Sequence, residues 1–500
     1  MVNVNLGVMG HVDSGKTSLC RVLTEIPSTA SLDKHPQSQE RGITLDLGLS
    51  SFRLHHTDDP LDVTLVDCPG HASLVRTVLG ASQIIDVVLL VVDSVKLVQT
   101  QTAECIVLAE VMCDKVVVVL NKIDLIGSTK EVEKIKGKLA KVFEKTKFGK
   151  NVPIVAISAN PGDGKEAIGI ADLHEALRRI ICAPVRSPEG PLLFMFDHCF
   201  AIKGHGTVLT GTILAGSISV GEAIEIAGHG RKKVKSMQMF KKAVNRAIQG
   251  DRVGICVTGL DAAGIERGIA TTDPTPVLEW IVCSCKSIPY FKGDIDTKAK
   301  FHVTIAHNTV MAQVYFIKPG NLSAPKIQPS FIGQKFDYCE SMTDENGAAD
   351  LVVMRLETPI IHPTGCLYLA SKLDLDIHSP GCRLAFHGKV LQSLALEEVK
   401  GLVVTKKKNK TGLLERSEGN GRYICTGLMK KDSDPGKLVG LKVRHETTNS
   451  VGLIEGPFGK SGKMRIAFSS EIEGVSTDLK GNVLQEQRVV LDFEKRVKLA

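Results

Sequence analysis

The stretch GHVDSGKT, residues 10 to 17, constrains this chain more than any other. It follows the alternating segment VNVNLGV and has the spacing glycine, four residues, glycine, lysine, threonine, which requires a strand before it and a helix after it. In that setting the backbone N–H groups of Asp13, Ser14, Gly15 and Lys16 face phosphates, and Gly15 permits a close approach. Lys16 neutralises charge, and the Thr17 hydroxyl suits a magnesium ion. A unit of this kind belongs to an open, mostly parallel sheet flanked by helices, with ligands at the carboxyl ends of the strands.

Three later strand ends extend the pattern. LDVTLVDCPGH, residues 61 to 71, ends a strand at Asp67, which can hold magnesium through water, and Gly70 follows with an N–H that can reach a γ-phosphate. VVVVLNKID ends in Asn121, Lys122 and Asp124; a carboxylate there accepts from guanine N1 and N2, groups that adenine does not offer, so GTP is selected over ATP. IVAISAN places Ser158 and Ala159 where a backbone N–H is expected to meet guanine O6. Between the first two motifs, QERGITLDLG contains Thr44, placed to join the magnesium only while the γ-phosphate is present. His71 stands where in-line phosphoryl transfer needs a water-positioning side chain, with packing beneath the switch as its alternative role.

Five hundred residues, 43% hydrophobic and 23% charged, exceed one core and imply three or four domains. The thirteen cysteines lie mostly in apolar runs without paired metal-ligand spacing, apart from Cys283 and Cys285 in CSC. That usage suits buried free thiols in a reducing compartment. The longest apolar run, IIDVVLLVV, is short and broken by Asp86, and the first residues lack a basic leader, so neither a membrane span nor secretion is expected.

After VRSPEGP, residues 185 to 191, helical periodicity gives way to short alternations between Gly-rich turns. One such run, to about residue 274, reads as a β-barrel, and a second reaches CRLAFHGKV at 382 to 390, with the polar stretch 321 to 350 as a long loop. Residues 402 to 500 alternate like β-hairpins and show no recognition helix. They hold 19 Lys+Arg against 12 Asp+Glu, whereas the first 401 residues balance at 43 of each. Such an excess favours polyanions, although KKKNK at 406 to 410 reads equally well as an ordinary charged loop. The expected fold is therefore multidomain α/β plus β. A P-loop GTPase domain over 1–185 precedes β-barrels over 190–275 and 277–390 and a small basic β-domain over 402–500.

GHVDSGKT, ERGIT, DCPGH and NKID together resemble the translational GTPases of the elongation factor Tu class, which deliver aminoacyl-tRNA to the ribosome. KHPQSQERGITLDLG, FDHCFAIKGHGTVLTGTI, QGDRVGICVTGLD with ERG, TKAKFHVTIAH and LDLDIHSPGCRLAFHG are similar to the eukaryotic and archaeal selenocysteine-specific elongation factors, over nearly the whole chain. The resemblance implies GTP and GDP with Mg2+ as ligands, Ser18 among the nucleotide contacts, and His71, Thr44 and Lys16 as the catalytic group. It implies selenocysteinyl-tRNA as cargo, delivery at recoded UGA codons, and ribosome-stimulated hydrolysis. It also implies a fourth domain that couples to the selenocysteine insertion element RNA through that RNA's binding protein and contacts tRNA. A cytoplasmic monomer without membrane contact is expected, and KKKNK leaves nuclear import open. A general or initiator aminoacyl-tRNA carrier is the alternative.

The resemblance also places an aminoacyl pocket on the first barrel at Asp197, His198 and Arg267. A cysteine thiol titrates at about 8.5 and a selenol is more acidic, so selenocysteine presents an anion where serine presents a neutral hydroxyl. Asp197 is expected to take the α-amino group, and Arg267 with His198 the selenolate. The alternative has Asp197 and His198 capping a turn and Arg267 pairing with Glu266 or a phosphate. Leu49 departs from the family, many of whose members place Phe after LDLG to line this pocket.

Overall fold

The computed structural model describes residues 3–27, 48–55, 60–68, 84–162, 164–239, 242–273, 277–306, 308–320, 331–344, 347–361, 364–375, 381–430, 434–459 and 461–499. They form two compact units, 1–315 with 341–395 and 316–340 with 396–500.

Continuous apolar, β-branched runs make the first sheet. Asn3–Gly10, Leu61–Asp67, Val87–Asp93, Val116–Asn121 and Ile154–Ala156 run parallel, and Gly48–Leu54 pairs antiparallel with Leu61–Asp67. Every residue of Val87–Asp93 and Val116–Asn121 is buried, as expected of strands with helices on both faces. Lys16–Leu23 and Ile170–Ile180 contribute to one apolar core, and Thr100–Met112 and Thr129–Phe143 to the other. Asn3–Gly10 lies between Leu61–Asp67 and Val87–Asp93, so the chain winds outward from it in both directions and opens a crevice at its carboxyl end.

In the first barrel, Leu193–Ile202 pairs antiparallel with Gly206–Ala215 and with Gly268–Thr271, and Arg252–Val257 lies beyond Gly206–Ala215. Phe194, Phe196, Leu209, Ile213 and Ile255 fill the interior. The register slips between Phe196 and His198, which inserts Asp197 as an extra residue. This bulge explains the interrupted alternation of LFMFDHCF: Phe196 and Asp197 are adjacent, yet both are buried, at 1% and 7% exposure. Gly211 makes room for it, since a Cβ there would come within 2.2 Å of the Met195 carbonyl oxygen.

Further along, Leu278–Ser284, Lys300–Ile305, Leu351–Ile360, Leu367–Ser371 and Leu384–Leu394 are joined by antiparallel pairings. Cys283 is buried there, and the Cys285 thiol donates to the Ala349 carbonyl. The polar stretch read as a long loop is corrected in part: it contains the strand Lys335–Cys339, with Phe336 and Cys339 buried, and the short pair Thr343–Asp344 with Gly347–Ala348. Turn-forming residues on both sides hid the brief alternation FDYC.

The last region is built from Val403–Gly419, Arg422–Thr426, Lys442–His445, Val451–Phe458, Lys463–Phe468 and Arg488–Val497, all antiparallel to their neighbours in this set. Leu414, Tyr423, Ile454, Met464, Ile466 and Leu491 form its core. KKKNK lies within a strand, not in a loop. No helix among the described residues is long and apolar enough to cross a membrane.

Candidate functional site

The phosphate loop is held open by its own backbone. Gly15, at φ 90°, directly precedes the helix Lys16–Leu23 and gives it no side-chain cap, and a Cβ there would meet Asn121 Nδ2 at 2.2 Å. The positive end of the helix therefore faces the crevice. Lys16 is buried, and its Nζ donates to the His11 carbonyl at 2.7 Å. Burial pushes its pKa down, partly opposed by the negative charge of Asp67. Ser14 is buried and its hydroxyl has no hydrogen-bond partner among the described residues, so the loop offers an unspent polar group. Asp13 is exposed on the loop, and Ser18 is half-buried in the first helical turn. Thr17 Oγ1 donates to Asp67 Oδ2 at 2.7 Å at the foot of the loop. A hydroxyl and a buried carboxylate converging there are the hard oxygen donors that Mg2+ prefers. Thr44, Gly70 and His71 lie outside the described residues.

At the base end, Asn121 braces two loops. Its Nδ2 donates to the Ser14 carbonyl at 2.9 Å, and its Oδ1 accepts from the Ala159 N–H at 3.0 Å. Lys122 pairs with the buried Asp93 at 2.8 Å. Burial opposes ionisation of Asp93, but the Lys122 hydrogen bond and two backbone N–H groups outweigh it and hold the carboxyl below its ordinary range. Asp124 is exposed and accepts a short hydrogen bond from the buried Ser158 hydroxyl. The Ser158 N–H donates to Ile168 and that of Ala159 to Asn121, so both groups expected to reach guanine O6 are engaged within the protein.

On the barrel, the bulge aims Asp197 at a partner that the sequence reading missed. Both guanidinium nitrogens Nη1 and Nη2 of Arg252 donate to the Asp197 carboxylate, Nη2 to Oδ1 at 2.7 Å, and His198 Nδ1 lies 2.7 Å from the same Oδ1. Asp197 is buried and the Arg252 side chain keeps only 12% exposure, while His198 keeps about a third of its side chain in contact with solvent. Burial disfavours the Asp197 anion, but Arg252 and then His198 more than offset this and hold the carboxyl well below the usual carboxylate range. Arg252 opens its strand opposite Thr212, and His198 lies opposite Thr210. The guanidinium thus reaches Asp197 across the intervening strand Gly206–Ala215, a span of two strand spacings, or about 9.5 Å.

Arg267 is exposed and precedes Gly268, the register partner of Phe196. It lies near the bulge, but Arg252 is the arginine on Asp197. The available signal was the cation heading the apolar strand RVGICV after the turn QGD. Leu49 is buried in an apolar cluster that also contains Met195 and Ile269.

Two further contacts set the frame. Asn3 and Asn5 donate to the Gly250 carbonyl at 3.0 and 3.1 Å, two residues before Arg252. Glu104, on Thr100–Met112, forms a buried two-point pair with Arg383, both contacts at 2.9 Å.

Residues 1–185 match the family model of the elongation factor Tu GTP binding domain, and 206–270 that of elongation factor Tu domain 2. Residues 282–388 match the third domain of the eukaryotic selenocysteine-specific elongation factor, and 401–497 the eEFSec C-terminal RIFT domain. The chain is 44% identical to the selenocysteine-specific elongation factor of Mus musculus, over 93% of this chain and 88% of that one. It is 36% identical to that of Methanocaldococcus jannaschii, over 95% and 96%. Translation elongation factor SelB from Methanococcus maripaludis, solved in complex with the GTP analogue GppNHp, has a TM-score of 0.76 at 29% identity over 99% of both chains.

Proposed function

The chain belongs to the family of selenocysteine-specific elongation factors, and from the barrel geometry we propose how it recognises its cargo. It is a translational GTPase that binds GTP and selenocysteinyl-tRNA, delivers the tRNA to the ribosome at recoded UGA codons, and hydrolyses GTP to release it.

In the nucleotide site, Lys16 and the loop N–H groups bind the phosphates and Asp124 reads the guanine. Thr17 and Asp67, with Thr44, would hold Mg2+, which when bound neutralises charge on the β- and γ-phosphates. His71 positions the attacking water, and Gly70 donates to the γ-phosphate.

The Asp197–Arg252–His198 cluster carries the cargo reading. Both Asp197 oxygens are already engaged, so its role is to orient two nitrogen donors, and Arg252 takes the place first given to Arg267. With Nδ1 turned to Asp197, His198 leaves Nε2 for the amino acid. Together the two side chains favour a selenolate over the neutral serine hydroxyl. Because Asp197 balances Arg252, serine leaves no bare buried charge. The preference is then that of hydrogen bonds to a charged group, about 1.5 to 3 kcal/mol, or roughly tenfold to a hundredfold. The fourth domain couples this cytoplasmic, monomeric factor to the selenocysteine insertion element RNA through the binding protein of that RNA, in keeping with the match of residues 401–497 to the C-terminal RIFT domain.

The test is capture of tRNA by the protein loaded with a non-hydrolysable GTP analogue, followed by identification of the tRNA and its amino acid. Selenocysteine is expected; recovery of serine on the same tRNA would refute this reading.

A further inference from the structure

The strand Asn3–Gly10 starts with two buried polar residues, Asn3 and Asn5, and ends where the phosphate loop begins. Their side-chain amides converge on one acceptor, the Gly250 carbonyl, which precedes Arg252 by two residues. These amides are oriented from behind: Thr64 Oγ1 donates to Asn3 Oδ1 at 2.9 Å, and Asn3 Nδ2 also donates to Asn5 Oδ1 at 3.2 Å. Asp86, the residue that breaks the run IIDVVLLVV, accepts at Oδ2 from the Asn5 N–H at 2.9 Å and from Arg186 Nη2 at 2.6 Å. Arg186 in turn lies over Gly250, where a Cβ would come within 2.3 Å of its Nε.

The turn held in this way is the one that launches Arg252. Gly250 takes φ 89°, a left-handed conformation that suits glycine. Asp251 Oδ2 accepts from the Ile248 N–H at 2.8 Å and closes the turn. The Gly250 N–H donates to the Ile213 carbonyl at 2.7 Å, and the Ile213 N–H to the Asp251 carbonyl at 3.0 Å, so the turn is tied to the strand that Arg252 crosses to reach Asp197. Cohesion between sheet and barrel needs only apolar packing, of the kind gathered around Leu49, Met195 and Ile269. Buried amides cost desolvation and add direction instead. Arg186 Nε is buried with no hydrogen-bond partner among the described residues, a further cost of this placement.

We propose that Asn3, Asn5 and Arg186 are positioning residues for cargo selection: they fix the Gly250 turn so that the Arg252 guanidinium meets Asp197 and faces the selenolate. This rests on the assignment of Arg252 to the selenolate under the proposed function. A side chain that spans two strand spacings magnifies any tilt of its backbone, and a shift of about 1 Å is enough to degrade a two-point contact. The three residues act through Arg252, from the end of the strand opposite the phosphate loop. Their loss should therefore be read in the choice of amino acid and not in nucleotide binding.

The experiment measures the affinities of the full chain, with a non-hydrolysable GTP analogue bound, for selenocysteinyl-tRNA and seryl-tRNA of the same tRNA body. Asn3→Ala with Asn5→Ala is expected to lower the preference for selenocysteine about fivefold, entirely through the selenocysteinyl complex, with affinity for the analogue changed by less than about twofold. Asn5→Ala alone, which keeps one amide on Gly250 and threatens the fold less, should lower it about twofold, and Arg186→Gln should act in the same direction. Glu104→Gln weakens a buried contact elsewhere in the same unit and should leave the preference unchanged. An equal loss there would show general loosening and overturn the inference. In Arg252→Ala the two asparagine substitutions should weaken selenocysteinyl-tRNA binding no further; a further loss would place their action outside Arg252 and overturn it too. A preference kept in the asparagine variants but lost in Arg252→Ala would overturn this inference alone, whereas a preference kept in Arg252→Ala would sink the cargo reading and this inference with it.

Discussion

At the head of the parallel sheet, Asp13 to Ser18, the residues proposed to hold the phosphates, are consecutive, and the loop they form would offer mainly backbone N–H groups. On the first barrel, Asp197 and Arg252 lie 55 positions apart and meet only because a bulge and a strand register bring them together. Both sites bury charge, but the first is fixed by local chain geometry and the second by side-chain pairing across a sheet. The nucleotide site should therefore lose ligand without losing stability when a side chain is removed, whereas the barrel site should lose both.

The largest effect tests that contrast directly. Arg252→Ala leaves Asp197 buried without its main counter-charge, and unfolding of the barrel followed in denaturant should show a loss of about 3 to 5 kcal/mol. Arg267→Ala, at an exposed site, should stay within about 0.5 kcal/mol; comparable losses from the two would erase the distinction drawn between these arginines. Next, Lys16→Ala should weaken GTP by about a hundredfold in calorimetry while leaving the denaturation midpoint nearly unchanged. Unfolding of this variant would mean that the loop relies on the lysine for its shape.

A smaller effect is expected at the base end. Asp124→Asn should cost about tenfold to a hundredfold in GTP affinity and narrow the margin over ATP, measured by competition between the two nucleotides. The smallest is in pH dependence. The Asp197 carboxyl is held below its ordinary range when folded, whereas an unfolded aspartate titrates at about 3.9. Its stabilisation is therefore complete above that value and is lost as pH falls through the folded one. The stability advantage of the wild type over Asp197→Asn should be constant from neutral pH down to about 5 and shrink only in stronger acid. An advantage already fading near pH 6 would contradict a carboxyl held below its ordinary range by Arg252.

What was legible in the sequence follows the same division. Val87–Asp93 and Val116–Asn121 announce themselves as apolar runs, and Thr17, Asp67, Asn121 and Asp124 sit at or just after the ends of the strands Asn3–Gly10, Leu61–Asp67 and Val116–Asn121. Asp197 and His198 were visible as a break in alternation, but the bulge that buries Asp197 depends on the partner strand and on Gly211. Arg252 stood in view as the cation heading RVGICV, but the sequence does not say that this arginine reaches across Gly206–Ala215. The Glu104–Arg383 pair was hidden too, since its partners are 279 residues apart. The strand Lys335–Cys339 and the pairing of KKKNK were obscured by polar neighbours, for an exposed ribbon needs no apolar face to form.

The most direct measurement compares affinities for selenocysteinyl-tRNA and seryl-tRNA of the same tRNA body, with a non-hydrolysable GTP analogue bound, in the wild type, Arg252→Lys and Arg252→Ala. The wild type should prefer selenocysteine by roughly tenfold to a hundredfold. Arg252→Lys, which keeps a cation beside Asp197, should retain part of that preference. Arg252→Ala should abolish it by weakening the selenocysteinyl complex alone; equal weakening of both complexes would contradict a selective role for the Asp197–Arg252–His198 cluster.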